Sequence, residues 1–284
     1  NEDKYKIEKG NLAMRYNEIL VELKKVGLKA GWKVINKNGT LHTGIVIESG
    51  GQVAPIIYTD GLIDERDDLD MAVNKILGEY QKVRDVSFDV KHIINRDYIL
   101  GHITIAVQKD GKENLIKKKT ELDGIESYLI VMDDSMSAEG NLSMKVSLDL
   151  LDECRISESE AWERAKKNLH ESVQIKSMSQ IMAEMIGEEF EEVCGVDDKM
   201  FVISTKSGVK GAAAVLDKES MEAFAKKHHA TKVAVLPSSI HEMILVTGAD
   251  ESEERALSAM VTDVNTTEVR PEERLTNKAY FMEF

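Results

Sequence analysis

Cysteine, proline and aromatic residues are all scarce in this chain of 284 residues, and each scarcity removes a class of protein. Cys154 and Cys194 are the only cysteines, and they stand far apart and outside any CxxC spacing. Neither a disulfide framework nor a cysteine zinc site is expected, and both thiols are read as reduced. Three prolines and 18 glycines form no Pro-rich or Gly-rich linker that would mark a domain boundary. No window approaches the roughly 20 apolar residues of a membrane span. The charged opening NEDKYKIEKG lacks the apolar core of a signal peptide, although Asn1 in place of Met leaves room for residues before it. A cytoplasmic protein with no membrane partner is the expectation.

Positive charge is also in deficit. The formal net charge is −14, and residues 157–284 carry 24 Asp and Glu against 15 Lys and Arg. Nucleic-acid binders need Lys and Arg to neutralise phosphates, so direct nucleic-acid binding is not expected. An acidic surface can instead imitate DNA toward a basic partner, as an anti-restriction or anti-defence protein would. Its commoner meaning is solubility.

The chain does have an apolar fraction of 42%, ample for a packed core. The stretch Lys232–Gly248, KVAVLPSSIHEMILVTG, joins its clearest strand pair to its one compact cluster of reactive side-chain types. Val233–Leu236 and Met243–Val246 are short and rich in branched residues, and Pro237 closes the first of them because it cannot donate to a ladder. Between them lie Ser238, Ser239, His241 and Glu242. Serine hydroxyls in a turn ordinarily bond nearby backbone groups. The functional alternative is a hydrolase in which His241 activates Ser238 or Ser239, with a carboxylate such as Glu242 or one from elsewhere. Residues adjacent on a strand point to opposite faces, so the turn is the preferred reading.

Other clusters read as structure. Asp64–Asp70, DERDDLD, lacks the spacing and glycine of a calcium loop and is assigned to a helix N-terminus, where acids favour the macrodipole. Lys117–Lys119 is assigned to a solvated face. Residues 205–211, TKSGVKG, lack the order of a phosphate loop and are read as a hairpin turn between strands Met200–Thr205 and Gly211–Leu216. His228 and His229 are read as cations at a helix C-terminus, not as metal ligands. Met178, Met182 and Met185 have helical spacing and are read as core. No metal and no cofactor is assigned.

In order, the pattern predicts a helix over Asn11–Ala30 and a hairpin about Asn38-Gly39. A third strand over Val53–Tyr58 follows a Gly50-Gly51 turn, and then comes a helix carrying Leu69, Val73, Ile76, Leu77 and Tyr80. A strand over Tyr98–Gln108 and a hairpin of Tyr128–Met132 with Leu142–Val146 come next. Helices are predicted after Ser157 with Trp162, Ala165 and Leu169, after Ser177, after Asp217 with Met221, Phe224 and Ala225, and over Asp250–Val264 with Ala256, Leu257, Met260, Val261 and Val264 inward. Lys278–Phe284 ends the chain as a strand. Sequential antiparallel pairs without regular βαβ alternation argue an α+β fold of antiparallel sheets with flanking helices. Two subdomains are expected, residues 1–152 with an N-terminal helix and β-meander, and residues 157–284 as α-β-β-α-β-β-α.

The segments GGQVAPIIYTDGL, SMSQIMAEMIG, GAAAVLD, LPSSIHEMILV and VNTTEVRPEERLTNKAYFME run in the order of an uncharacterised clostridial domain-of-unknown-function family, which the chain resembles over most of its length. Gly111–Asp123 departs from that pattern. The resemblance implies a cytoplasmic protein of gut anaerobes, often encoded near mobile elements, with no assigned activity. With no complete catalytic motif present, the leading expectation is a non-enzymatic binding or regulatory protein with an unidentified protein partner.

Overall fold

The computed structural model describes residues 15–48, 54–64, 66–83, 93–111, 113, 115–133, 142–186 and 198–284. Leu12, the Gly50-Gly51 turn, the loop over 134–141 and Cys194 lie outside these residues. Contacts divide the chain into Asn1–Ile93 and Ile94–Phe284.

In the first unit, helix α1 covers residues 15–25. It ends in a Schellman turn, with Gly27 at φ 86°, Gly27 N–H donating to Lys24 O and Leu28 N–H to Leu23 O at 3.0 Å each. Strands β1 (Lys29–Lys37) and β2 (Thr40–Glu48) form the hairpin predicted about Asn38-Gly39, whose φ values of 50° and 83° suit a turn that needs both residues left-handed. β3 (Ile56–Tyr58) joins β2, and α2 (Leu69–Val83) follows. Ile19, Leu23, Ile45, Ile47, Ile57, Ala72 and Ile76 make the core. The acidic run before α2 is held by backbone: Asp68 Oδ1 accepts from Met71 N–H at 2.7 Å and Asp67 Oδ2 from Asp64 N–H at 2.7 Å.

The second unit contains two antiparallel sheets. One has the order β4-β6-β5, with β4 (Ile103–Lys109), β5 (Lys117–Lys119) and β6 (Ile125–Asp133), and β7 (Leu142–Lys145) beside β5 on the same edge of β6. The other has the order β12-β10-β11-β9-β8, built from β8 (Val173–Ser177), β9 (Met200–Thr205), β10 (Lys232–Pro237), β11 (Met243–Thr247) and β12 (Tyr280–Glu283). Helices α3 (Arg96–His102), α4 (Leu148–Glu153), α5 (Glu158–Ser172), α6 (Met178–Ile186), α7 (Lys218–Lys227) and α8 (Glu254–Thr267) complete an α+β fold. No helix among the described residues is long and apolar enough to cross a membrane.

This unit is not divided near Leu151–Ser157, where the sequence reading placed a boundary. Just past that point α5 buries Ala161, Trp162, Ala165 and Leu169 in a core shared with Ile103, Leu129 and Val131 before it and Val235 and Leu245 after it. Each sheet has an apolar face to cover, and α5 and its neighbours pack into one core with both.

Three local expectations are corrected. Residues 98–102 are helical, because Asn95 Oδ1 accepts from Tyr98 N–H at 2.9 Å and starts α3 before the strand begins at Ile103. Gly211–Leu216 is a buried 3-10 turn and not a strand, since both ladders of β9 are taken by β11 and β8. Gly211 lies so close to β9 that a Cβ there would stand 2.5 Å from Thr205 N. Helical spacing also overstates the inward faces: Met182 is 53% and Met185 83% exposed, and on α8 Val261 and Asn265 are buried while Met260 and Val264 are exposed.

Candidate functional site

Pro237 pairs with Met243, which leaves Ser238–Glu242 as the connection between β10 and β11. Ser238 Oγ donates to Glu242 O at 3.0 Å, Ser239 N–H donates to the same carbonyl at 3.2 Å, and Ser239 Oγ accepts from His241 N–H at 3.0 Å. His241 Nδ1 accepts from Lys210 N–H at 3.2 Å, which places the proton of the neutral ring on Nε2. Nε2 faces Glu273 Oε1 at 3.7 Å. Ile240 N–H donates to Glu273 O at 2.8 Å and Ser204 Oγ to His241 O at 2.7 Å. The four residues singled out in the sequence are therefore close, but the serine hydroxyls bond backbone groups and the imidazole bonds Lys210. The cluster ties β9, the β10–β11 connection and the Pro271–Glu273 turn together.

His228, at the C-cap of α7, sits in an aromatic setting. Its ring lies 4.4 Å from that of Phe201 and 4.6 Å from that of Phe224, and burial, reinforced by Lys227, pushes its pKa down. Among the described residues no group of three His, Cys, Asp or Glu is placed to hold a metal ion.

A different site emerges from long-range packing. A cavity of about 460 Å³ opens between β5, α5, the Gly211–Leu216 turn and the start of α7. That volume is within the roughly 300–1,000 Å³ of ordinary ligand sites. Its apolar wall is Ile105, Leu122, Trp162, Leu169, Val215, Leu216 and Met282, and its rim carries Lys118, Lys119, Lys166 and Lys218. Trp162, Lys166 and Leu169 reach it together because positions i, i+4 and i+7 share a helix face.

Each rim charge has a defined setting. Lys118 Nζ lies 4.3 Å from the centroid of the Trp162 ring, a cation over a π face. Trp162 is 4% exposed, and its indole N–H has no hydrogen-bond partner among the described residues. Lys218 Nζ pairs with Glu121 Oε1 at 2.9 Å, and that hydrogen bond raises its pKa. Asp217 Oδ2 caps α7 through Ser220 N–H at 3.0 Å and receives His170 Nδ1 at 2.9 Å. Burial pushes the Asp217 carboxyl up, but hydrogen bonds from Ser220 and His170 outweigh it and leave the pKa lowered. The same contact raises the pKa of His170. With Asp217 and Glu121 so engaged, Lys118, Lys119 and Lys166 are the lysines that line the cavity outside the Lys218–Glu121 pair, against Glu219.

Ser238, Ser239, His241 and Glu242 do not line this cavity. Asp217 was legible as a helix cap. Trp162 was legible as core, but Lys118 and Lys166 were not read as site residues. The available signal was a lysine at position 166, on the same helical face as Trp162 and Leu169.

Against known proteins, a family model described as a family of unknown function (DUF5688) matches residues 15–283. No curated protein and no solved structure matches the chain.

Proposed function

The chain belongs to the family of unknown function DUF5688, so its role has to be read from its own geometry, and we propose that it is a non-enzymatic binding protein whose ligand is an amphipathic anion held in the Trp162 cavity. One observation carries this reading: in a chain of net charge −14, an apolar wall about Trp162 is bordered by Lys118, Lys119 and Lys166 beside the Lys218–Glu121 pair, with Asp217 engaged by His170 and Ser220 and Glu219 the remaining carboxylate. The apolar body of the ligand lies against Leu122, Leu169 and Val215. Its acidic head lies at Lys166 and at Lys118, whose ammonium stands over the Trp162 ring. Support from the other candidate is negative. The hydroxyls of Ser238 and Ser239 and Nδ1 of His241 are engaged in holding backbone, which favours a structural role for that turn. A cytoplasmic location is proposed with this reading, supported by the buried free thiol of Cys154.

The test uses the intrinsic fluorescence of Trp162. Trp32 and Trp162 are the two tryptophans, so a Trp32→Phe variant isolates the one in the cavity. Titration with dodecanoate is expected to give a saturable change in its emission, and the absence of any change in folded protein would rule the proposal out.

A further inference from the structure

A second cavity, of about 440 Å³, is lined by Met221, Glu222, Lys226, Ala230, Glu283 and Phe284, and it shares Glu121, Lys218 and Met282 with the Trp162 cavity. The shared residues are one wall side chain and the two members of one ion pair. Glu121 follows β5, Lys218 stands in the first turn of α7, and their side chains are 72% and 74% exposed. An exposed pair of this kind holds its geometry weakly, since water and salt screen it.

Resting on the binding reading above, we propose that the two cavities are one groove for a linear alkyl carboxylate, and that the Glu121–Lys218 pair is a releasable strap across it. Charge and polarity set the direction of the ligand. The carboxylate lies at the end lined by Lys118, Lys119 and Lys166, and the alkyl chain runs along Met282 toward Ala230 and Phe284, in a chamber whose own carboxylates Glu222 and Glu283 disfavour the acidic head. A compact ligand fills one chamber and leaves the other to water, whereas a flexible chain gains from every methylene it buries in either. Lys218 has a second role in this arrangement: released from Glu121, its ammonium can follow the entering carboxylate until the strap closes again.

The experiment measures the affinity of the Trp32→Phe protein for octanoate, dodecanoate and hexadecanoate, each below its micelle concentration, from Trp162 fluorescence. A continuous groove predicts affinity rising by up to about fourfold per added methylene, and still rising between dodecanoate and hexadecanoate. Equal affinity for octanoate and hexadecanoate would overturn the continuous groove while leaving the binding reading in place. No saturable binding of any of the three would remove the binding reading itself. Hexadecanol binding as tightly as hexadecanoate would overturn the lysine end of the proposal. The strap is tested in the same background with Glu121→Gln, followed by stopped-flow fluorescence with hexadecanoate. Association and dissociation rates are both expected to rise severalfold, and unchanged rates in a variant with an unaltered unfolding transition would overturn the strap.

Discussion

The ammonium of Lys118 stands 4.3 Å from the centroid of the Trp162 ring, which links an edge strand of one sheet to the helix that covers its apolar face. Lys118 also anchors β5 through its backbone, since Ser127 Oγ donates to Lys118 O at 3.2 Å. Replacing its charge tests the side chain alone. Lys118→Met is expected to destabilise the second unit by about 0.5–2 kcal/mol, the range for a cation held over an aromatic face. Urea unfolding followed by Trp162 emission in the Trp32→Phe background measures it, and an unchanged midpoint would mean that the contact contributes nothing.

His170 and Asp217 make the start of α7 sensitive to pH. The hydrogen bond and charge of Asp217 raise the pKa of His170 above its ordinary 6.5. A raised histidine pKa means that the folded state holds the proton more tightly. Its contribution is therefore full below about pH 6.5 and is lost as pH rises through the folded-state value. Asp217, whose pKa is lowered, contributes in the opposite sense, fully above its ordinary 3.8 and less as the solution becomes more acid. The unfolding temperature of the wild type is expected to fall from pH 6 to pH 8 by an amount that His170→Gln removes. A fall of the same size in the variant would assign the dependence to other groups.

Ser239→Ala separates a structural turn from a catalytic one. Ser239 Oγ accepts from His241 N–H, and without it a partly buried donor loses its partner. A loss of about 1–3 kcal/mol of stability is expected, together with unchanged dodecanoate affinity. Hydrolysis of a generic ester by the wild type, abolished in the variant, would instead support the hydrolase reading of Ser239 with His241.

Gly211→Ala probes the close approach of the 3-10 turn to β9. The added Cβ would meet Ser204 Oγ at 2.3 Å and Thr205 N at 2.5 Å, and the second of these is backbone and cannot rotate away. Overpacking of this kind costs about 1–3 kcal/mol. The turn also supplies Val215 and Leu216 to the cavity, so reduced dodecanoate affinity is expected alongside the lower unfolding midpoint. A variant as stable as the wild type would contradict the geometry at this position.

Local chemistry made much of the fold readable. Asn38-Gly39 specified a hairpin because only a few residue types accept two left-handed positions in succession, and the caps at Ser157, Ser177 and Asp217 announced helices through their own side chains. Gly211–Leu216 was not readable, because its short apolar run suits a strand as well as a buried turn. What decides between them is the occupancy of β9 by β8 and β11, a long-range fact. The same reason hid the cavity. Its walls come from positions between Ile105 and Met282, and Lys118 in isolation has the character of a solvated lysine. The serine-rich turn drew attention because its reactive residue types are adjacent in sequence, which is also why their hydrogen bonds are local.

The central claim, that the Trp162 cavity binds an amphipathic anion, is tested most directly by titrating the Trp32→Phe protein with dodecanoate beside the same protein carrying Lys166→Met. The account predicts saturable binding reported by Trp162 and an affinity about fivefold to tenfold weaker without the lysine, as suits loss of roughly one charge-assisted contact. Saturable binding with the same affinity in both proteins, or no binding in either, would contradict it.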